Sequence, residues 1–485
     1  MAEDAQPAAK SEEPKKLEFT EETPVVTKHT AKIGGKELKY TVTTGRMPLK
    51  NAVGEIEAQV FYMAYALDDA EPEGRNLMFS FNGGPGSPSL WLHLGTIGPK
   101  RIPMANDGEQ PAPPYHLVDN DFSWLEFTDV VFIDPVGTGY SQAKDEKLAE
   151  KYWSVSGDIE SVSEFIRLYL VKNARFSSPL FLVGESYGTT RAAGISKHLV
   201  ERGIAFNGLV LVSSAMNFLS LDFIQSSDLP HILFLPTYAA TAWYHNALPR
   251  KRPNLGSFLK EVETFASGEY ATILMKGDNA SSRERKSAIN KLNKYTGLNP
   301  DYLDKINLKI SIGQFCKELL RSKRRTVGRL DSRITGIDSD PTGHSIEHDP
   351  SMSALMPPYT MAFNDYVRRT LKYETDLPYH VFHGITKPWV WDTPKDEPAD
   401  TSHALRDAML RNPHMRVFVA SGHYDLATPY FATEYTLSHL GLDPELRAKI
   451  ETKEYEAGHM MYTHEGCLAR LQKDVRDFVA KSVAK

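Results

Sequence analysis

Short apolar runs, bounded by glycine, proline or polar residues, recur along the first half of the chain. Runs of this kind predict strands that are buried on both faces of a sheet. An earlier segment differs, because Gly34-Gly35 separates two strand-like stretches and indicates a hairpin turn. The predicted strands are the hairpin arms Glu22–Ile33 and Lys36–Thr44, the longer Ile56–Ala66, and the buried runs Leu77–Phe81, Val130–Asp134, Leu180–Val183 and Gly208–Ser213.

Helical spacing of apolar residues appears between the later strands. It predicts helices over Ser156–Val171 and Thr189–Glu201. The alternation of strand and helix is typical of a parallel sheet with helices on its faces. Each glycine-rich turn follows the carboxyl end of a strand, which is the edge where open α/β sheets bind ligands. We therefore expect an α/β fold with a mixed, mainly parallel central sheet flanked by helices.

The pattern changes at about residue 216. Up to residue 374, helical segments mix with aromatic, proline and charged residues, which indicates a largely helical cap insertion over the sheet. We expect a disordered tail at 1–20, an α/β domain formed by 21–215 and 375–485, and the cap at 216–374. Predicted later elements are strands Tyr379–Phe382, Met415–Ala420 and Lys449–Tyr455, and helices Ser402–Arg411, Tyr430–Leu440 and 463–480.

Composition and charge narrow the possible functions. The chain has 485 residues, 41% of them hydrophobic, and a net charge of −6, so it has no general basic field for nucleic acid or a membrane surface. Its two cysteines, Cys316 and Cys467, do not make a disulfide framework. No apolar run approaches the roughly 20 residues of a membrane span, and no signal peptide is visible. We expect a cytoplasmic protein as the sequence stands, or a periplasmic or secreted one if a leader was removed.

One predicted strand leads into a pattern associated with a catalytic serine. Leu180–Val183 is followed by Gly184-Glu-Ser-Tyr-Gly188, a G-x-S-x-G motif, and then by the predicted helix. Strand, sharp turn and helix together form a nucleophile elbow, which exposes the serine at the end of a sheet. Ser186 is therefore the candidate nucleophile, and the Tyr187 N–H would face an oxyanion. The alternative is an ordinary tight turn with an exposed serine.

A serine nucleophile needs a base, and the loops after two late strands offer a histidine and an acid. Asp425 follows Met415–Ala420 and His459 follows Lys449–Tyr455, in the chain order expected after such an elbow. Asp425 would orient the imidazole, while His459 would take the Ser186 proton and return it to the leaving group. The alternatives are an Asx-turn at Asp425 and a loop histidine that caps the next helix at His459.

A glycine-rich segment, Asn82-Gly-Gly-Pro-Gly86, follows an earlier strand. Consecutive glycines let a backbone approach a substrate closely, so the Gly84 N–H is the candidate for a second oxyanion donor. A purely structural turn would also explain the glycines. It would not explain the asparagine that precedes them.

These motifs together resemble those of the serine carboxypeptidase family, and they occur in the family's order over about 76–215 and 378–480. The resemblance implies an α/β-hydrolase fold, release of C-terminal residues from peptides, and no cofactor or metal. It assigns residues to three roles: Ser186, Asp425 and His459 to a catalytic triad, Gly84 and Tyr187 to the oxyanion N–H groups, and Asn82, Gly83 and Glu185 to binding of the substrate's terminal carboxylate. The motifs are Asn82–Leu90, Phe132–Ser141, Gly184–Gly188, Ser421–Asp425 and Ala457–Met460.

The carboxylate-binding role has a consequence for pH dependence. An ionised Glu185 would repel a terminal carboxylate, whereas a protonated one donates a hydrogen bond to it. Burial or a nearby carboxylate would raise the pKa of Glu185, so we expect the highest activity at acidic pH.

Four positions depart from the family pattern and suggest a bacterial-type branch. Ser80 replaces a tryptophan and Ser87 replaces a cysteine, while Asp134 stands where the family has a glutamine. Thr96 replaces a glutamate and cannot share a proton with Glu185. These departures leave the triad intact and leave the pH optimum and the side-chain preference open.

Two other functions remain open on the sequence alone. An esterase or acyltransferase would use the same triad, and a non-catalytic hydrolase scaffold would keep the fold for binding. The asparagine and glutamate of the proposed clamp favour peptides with a free C-terminus as substrates, and the intact triad argues against a retired enzyme. The sequence does not indicate the oligomeric state.

Overall fold

The predicted strands other than Tyr379–Phe382 lie in one ten-stranded sheet in the computed structural model, which describes residues 19–106, 108–394 and 397–484. Two further strand pairs lie apart from it, Lys100–Arg101 with Val118–Asp119 and Thr326–Val327 with Thr335–Gly336. The strands are β1 Val25–Ile33, β2 Lys36–Lys50, β3 Ile56–Leu67, β4 Leu77–Phe81, β5 Lys100–Arg101, β6 Val118–Asp119, β7 Asp129–Ile133, β8 Gln142–Ala143, β9 Leu180–Glu185, β10 Gly208–Val212, β11 Thr326–Val327, β12 Thr335–Gly336, β13 Arg416–Gly422 and β14 Ile450–Tyr455.

The strand order of the large sheet is β1-β2-β3-β7-β4-β9-β10-β13-β14, with β8 paired to β3. The pairs from β1 to β7 are antiparallel, and every pair from β7 to β14 is parallel. The prediction of a mixed, mainly parallel sheet is confirmed. Because β7, β4 and β9 are parallel neighbours, the loops that follow them meet at one edge of the sheet.

Helices cover both faces of this sheet and build the inserted segment. Short 3₁₀ or π turns flank several of them, including His93–Ile97, which continues the first helix. The α-helices are α1 Leu90–Leu92, α2 Glu146–Tyr152, α3 Val155–Lys172, α4 Tyr187–Val200, α5 Leu229–Tyr244, α6 Leu255–Phe265, α7 Ala271–Lys276, α8 Ser282–Thr296, α9 Pro300–Lys305, α10 Ile312–Glu318, α11 Pro350–Arg369, α12 Ser402–Arg411, α13 Tyr430–Ser438, α14 Pro444–Arg447 and α15 Glu465–Val483.

Alternate residues of the central strands enter two different cores. Leu182 packs with α3, α4 and α12 on one face, whereas Val183 packs with α11 and α15 on the other. This alternation follows from the two-residue period of a strand, and both faces are apolar because both are covered. The result is a three-layer arrangement that holds the carboxyl ends of the parallel strands rigidly.

The inserted segment has a core of its own. Helices α5 to α10 bury their apolar faces together, and Cys316 lies fully buried among them. Tyr424 and Leu426, from the loop after β13, join the same cluster, so the segment packs directly against a loop predicted to carry a site residue. Helix α11 lies within the span predicted for the cap, yet it packs in the sheet core through Tyr359 and Phe363.

The strand predicted at Tyr379–Phe382 is wrong. This stretch meets the sheet loops through an isolated bridge, in which His380 exchanges two backbone hydrogen bonds with Gly139, and through the Phe382 N–H, which donates to the Gly86 carbonyl. Phe382 has φ 66°, which ends any extended run, and Tyr379 packs against the rings of Tyr140 and Phe363. The apolar pattern there reflects packing onto neighbouring aromatic side chains rather than a place in the sheet.

The N-terminal tail predicted to be disordered lies mostly outside the described residues. At its end, the carbonyl of Thr20 accepts a hydrogen bond from the Gln59 side chain. Across the described ranges, no helix has both the length and the apolar character needed to cross a membrane.

Candidate active site

The candidate nucleophile Ser186 lies at a sharp turn between β9 and α4. Its backbone adopts φ 59° and ψ −128°, a conformation that few non-glycine residues tolerate. The turn is so tight that a Cβ on Gly184 would lie 2.2 Å from the carbonyl oxygen of Gly188. The Ser186 N–H donates to the Val212 carbonyl of β10 (3.0 Å), which ties the turn to the sheet. The sequence thus folds into the elbow that its glycine spacing predicted.

The candidate base His459 is held from both ends. Its Nδ1–H donates to Asp425 Oδ2 at 2.8 Å, an assignment that follows because an ionised carboxylate only accepts. Its backbone N–H donates to the Leu330 carbonyl (2.7 Å), and its carbonyl accepts from the Ser213 hydroxyl (2.6 Å). With the proton on Nδ1, Nε2 is free to accept one.

The acid of the pair, Asp425, is fully buried and saturated with hydrogen bonds. Its Oδ1 accepts from the backbone N–H groups of Ala427 (2.8 Å) and Thr428 (3.0 Å). The Thr428 hydroxyl donates to Oδ2 at 2.7 Å. This is Asx-turn geometry, so Asp425 forms the turn and also accepts from His459. The two interpretations of this residue are therefore compatible.

Burial and charge act in opposite directions on His459. Burial alone would lower the pKa of the imidazole. The negative charge of Asp425 raises it, Glu185 raises it by a smaller amount, and the net effect is an increase. Arg329 opposes them with a smaller effect that lowers the pKa. The imidazolium is thereby stabilised when it forms, as a general base requires.

Ser186 and His459 line one cavity of about 360 Å³. Its walls come from the loops after β4, β9, β13 and β14, together with side chains from the inserted segment. The sheet edge therefore gathers every site residue predicted from the sequence except Asp425, which lies behind His459. Other lining residues include Trp91, Phe218, Leu221, Phe223, Met352 and Phe382.

The two candidate oxyanion donors come from different loops. Tyr187 is the first residue of α4, so its N–H has no partner within the helix. The Asn82–Pro85 loop presses against it: a Cβ on Gly83 would lie 2.4 Å from the Tyr187 nitrogen. Gly84, with φ 103°, also lines the cavity. Only glycine permits this approach, which explains the Gly-Gly step.

Glu185, the residue before the nucleophile, is 3% exposed and lines the same cavity. Burial is the largest influence and raises the pKa of its carboxyl to about 7, although His459 and the hydrogen bond from Tyr462 lower it. The Tyr462 hydroxyl donates to Glu185 Oε2 at 2.6 Å. Near neutral pH this carboxyl therefore exists in both protonation states.

Asn82 is oriented by the backbone beside it. Its Oδ1 accepts from the Leu92 N–H at 3.0 Å, whereas its buried amide nitrogen has no hydrogen-bond partner among the described residues. The arrangement places an amide donor and a protonated or ionised carboxyl side by side at the cavity wall. Such a pair can hold one carboxylate oxygen atom each, in the way that the family resemblance assigns.

Two of the positions that depart from the family pattern differ in their relation to this wall. Thr96 is fully buried and does not line the cavity, so the pKa of Glu185 is raised by burial rather than by a shared proton. Ser87 lines the cavity and its Oγ accepts from the Trp91 indole N–H at 2.8 Å.

Three residues at the site were not anticipated from the sequence: Tyr462, Thr428 and Arg329. Tyr462 lies three residues after His459, in the 3₁₀ turn Met461–Thr463, and no local sequence pattern marked it. Arg329 is exposed at the cavity, close enough to influence His459.

Within the described ranges, no three His, Cys, Asp or Glu side chains are grouped to hold a metal ion.

Comparison with known proteins decides the family. The serine carboxypeptidase family model matches residues 49–471. The chain belongs to the serine carboxypeptidase family. Within the family, it is 29% identical over 155 residues to serine carboxypeptidase-like 9 of Arabidopsis thaliana, covering 31% of this chain and 32% of that protein. It is 29% identical over 167 residues to the pheromone-processing carboxypeptidase KEX1 of Verticillium alfalfae, covering 32% of this chain and 24% of that protein.

These alignments span about a third or less of the curated relatives' length. A solved structure extends the fold comparison over most of the chain: a prohormone-processing carboxypeptidase, KEX1(delta)P, from Saccharomyces cerevisiae. It matches with a TM-score of 0.56 and 14% identity, covering 91% of each chain. The predicted α/β-hydrolase fold and the family resemblance are both confirmed.

Proposed function

We propose that this member of the serine carboxypeptidase family releases C-terminal residues from peptides through an acyl-enzyme. One observation carries the proposal. A buried glutamate with a raised pKa, Glu185, lies directly before the nucleophile and lines the same cavity. An esterase has no use for a protonated carboxyl at this place, whereas an exopeptidase needs a group that accepts a terminal carboxylate.

Substrate binding begins at this carboxyl. Protonated Glu185 donates a hydrogen bond to one carboxylate oxygen of the peptide, and the Asn82 amide and the Gly83 N–H donate to the other. Tyr462 holds Glu185 in place through its hydroxyl. These contacts fix the C-terminal residue, so that the last peptide bond lies over Ser186.

Acylation follows from the triad geometry. His459 Nε2 takes the proton from Ser186 Oγ, which attacks the peptide carbonyl carbon. The negative oxygen of the tetrahedral intermediate accepts hydrogen bonds from the N–H groups of Gly84 and Tyr187. As the C–N bond breaks, the imidazolium gives its proton to the leaving amine, and the C-terminal amino acid departs.

Deacylation reverses the roles with water in place of the amine. His459 removes a proton from water, the hydroxide attacks the ester, and the imidazolium returns the proton to Ser186 Oγ. Asp425 stabilises the imidazolium in both halves of the cycle at a hydrogen-bond distance of 2.8 Å. No cofactor takes part in the balance of atoms or electrons.

The neutral form of Glu185 and the neutral form of His459 favour each other. A charge on Glu185 raises the pKa of His459, so the neutral glutamic acid that binds substrate also favours the neutral imidazole that catalysis needs. Conversely, an imidazolium lowers the pKa of Glu185. The active form therefore combines a neutral acid with a neutral base.

The test measures release of a C-terminal amino acid from an N-blocked dipeptide across pH 4 to 8. A C-terminally amidated copy of the substrate and the variant Ser186→Ala run in parallel. We expect release from the free acid, far slower cleavage of the amide, and a loss of about 10⁴-fold or more in kcat for Ser186→Ala.

Equal cleavage of the free acid and the amide would contradict carboxylate selection and favour an esterase or an endopeptidase. A folded protein that cleaves no peptide and does not react with a serine-directed fluorophosphonate would favour the non-catalytic scaffold.

A further inference from the structure

A buried arginine lies behind both halves of the oxyanion hole. Arg191 is 1% exposed and stands one turn after Tyr187 on α4, a spacing that places both side chains on one face of the helix. Its guanidinium carbon lies 5.4 Å from the centroid of the Tyr187 ring and 5.2 Å from that of Phe81. A guanidinium that is buried from solvent in this way must donate its hydrogen bonds to protein groups.

Two hydrogen bonds do so, and they reach different elements. Arg191 Nε donates to Asp158 Oδ2 at 2.8 Å, and Asp158, on α3, is 2% exposed. Arg191 Nη1 donates to the backbone carbonyl of Asn82 at 2.5 Å. The guanidinium thus ties α4 to the loop that follows β4.

The carbonyl that Arg191 holds belongs to the oxyanion loop itself. Because a peptide unit is planar, the Asn82 carbonyl and the Gly83 N–H move together, and Gly84 is the next residue. The loop and the elbow are in contact at this point, since a Cβ on Gly83 would lie 2.4 Å from the Tyr187 nitrogen. One side chain therefore spans the two elements that supply Gly84 and Tyr187.

We propose that Arg191 is a positioning residue that sets the distance between the two oxyanion donors. The inference rests on the oxyanion assignment in the proposed function. Arg191 touches no reacting atom, and it acts through the Asn82–Gly83 peptide and the start of α4. Oxyanion donors stabilise charge that exists only in the transition state, so a misplaced pair lowers kcat more than it raises KM.

The variant Arg191→Lys distinguishes positioning of the oxyanion donors from neutralisation of the Asp158 charge. Lysine keeps the positive charge for Asp158, but its single ammonium group lacks the planar fork that reaches two acceptors in fixed directions. We expect kcat to fall about 10- to 100-fold with KM within about 3-fold of wild type. Affinity for a peptide boronic acid, which places a negative oxygen in the hole, falls by the same factor as kcat/KM.

The chain offers a matched control at the other end of the sheet. Arg175 is also buried in an ion pair, donating to Asp129 at 2.8 Å, with 7% of each side chain exposed. Asp129 begins β7, far from the carboxyl ends that form the cavity. We expect Arg175→Lys to lower the melting temperature while kcat, KM and boronic acid affinity stay within about 2-fold of wild type.

Activities are normalised to the concentration of reactive serine, titrated with a fluorophosphonate. Arg191→Lys with wild-type kcat per reactive serine would overturn the proposal, as would equal losses of kcat in Arg175→Lys. If Arg191→Lys does not fold, the pair Arg191→Met and Asp158→Leu removes both charges and is measured in the same way.

The rate of fluorophosphonate labelling keeps this test separate from the proposed peptidase function. Labelling also builds negative charge on an oxygen in the hole, whatever the native substrate is. A wild-type protein that labels but cleaves no peptide would contradict the peptidase function, while a slower rate for Arg191→Lys than for Arg175→Lys would still support the positioning role.

Discussion

Two buried carboxyl groups end the strands that flank β4, and they differ in what they face. Asp134 directly follows β7 and Glu185 ends β9. Burial raises both pKa values, to about 6 for Asp134 and to about 7 for Glu185. Only Glu185 lines the cavity that holds Ser186.

Their hydrogen bonds explain the difference. Asp134 Oδ1 accepts from both the backbone N–H and the hydroxyl of Ser89, each at 2.8 Å, and a Cβ on Gly139 would lie only 1.9 Å from Oδ2. The carboxyl thus fastens one loop to another. Glu185 instead accepts from Tyr462 and keeps one side toward the cavity.

The comparison teaches that a raised pKa by itself does not identify a binding group. Both carboxyl groups are raised by the same cause, the loss of solvation. What separates them is whether a substrate can reach the proton that burial retains. Four experiments exploit this separation, and Asp134 serves as the internal control.

The largest expected effect is on the choice between free acid and amide substrates. Glu185→Leu keeps a similar volume but removes the hydrogen-bond donor, so the ratio of kcat/KM for the dipeptide free acid to that for its amide should fall about 100-fold. Asp134→Asn keeps an acceptor for Ser89 and should leave the ratio unchanged. An unaltered ratio in Glu185→Leu would show that the two carboxyl groups do not differ in this respect.

Stability should depend on pH through both carboxyl groups. The folded state retains protons that the unfolded chain releases, between pH 3.8 and about 6 for Asp134 and between 4.5 and about 7 for Glu185. More protons are then bound in the folded state, so the free energy of unfolding falls as pH rises through each window. The contribution is fully present below the unfolded pKa and is lost above the folded one.

For Asp134 this loss should amount to about 3 kcal/mol over the whole window. Urea unfolding at pH 4, 5, 6 and 7 measures it. In a plot of the free energy of unfolding against pH, Asp134→Asn should flatten the part at lower pH, and Glu185→Gln should flatten the part at higher pH. A wild-type stability that rises steadily with pH from 4 to 7 would contradict the buried, protonated state of both groups.

A third effect concerns KM above neutral pH. Once Glu185 ionises, it repels the terminal carboxylate, so kcat/KM for the free acid should fall about 10-fold per pH unit above pH 7. Glu185→Gln is neutral at every pH and should lack this decline, whereas Asp134→Asn should retain it. The amide substrate supplies the second control, because it carries no charge for Glu185 to repel.

Much of this comparison was accessible from the sequence, since local pattern determines local structure. The apolar runs predicted β4, β7 and β9, and the glycine spacing predicted the elbow at Ser186. Parallel strands bring their carboxyl ends to one edge, so the meeting of Asn82, Ser186 and His459 also followed from chain order. These features depend on backbone geometry, which a short stretch of sequence encodes.

The features that were missed depend on side chains from distant parts of the chain. The Tyr462–Glu185 hydrogen bond joins residues separated by 277 positions, and no local pattern marks either as the other's partner. The strand predicted at Tyr379–Phe382 failed for the same reason, because its apolar residues pack against rings from other elements. Arg191 was not marked by the sequence, because its partners Asp158 and the Asn82 carbonyl belong to other elements.

The smallest expected effect comes from Tyr462 itself. Its hydrogen bond to Glu185 Oε2 stabilises the ionised carboxylate and lowers the pKa of Glu185, so Tyr462→Phe should raise that pKa. The alkaline decline in kcat/KM should then begin at higher pH, which makes the variant about 3-fold more active than wild type at pH 8 when each is scaled to its own value at pH 6. A decline that moves to lower pH would reverse the sign and contradict this role. Ser89→Ala, which removes the equivalent hydroxyl from Asp134, should leave the decline in place because that carboxyl never meets the substrate.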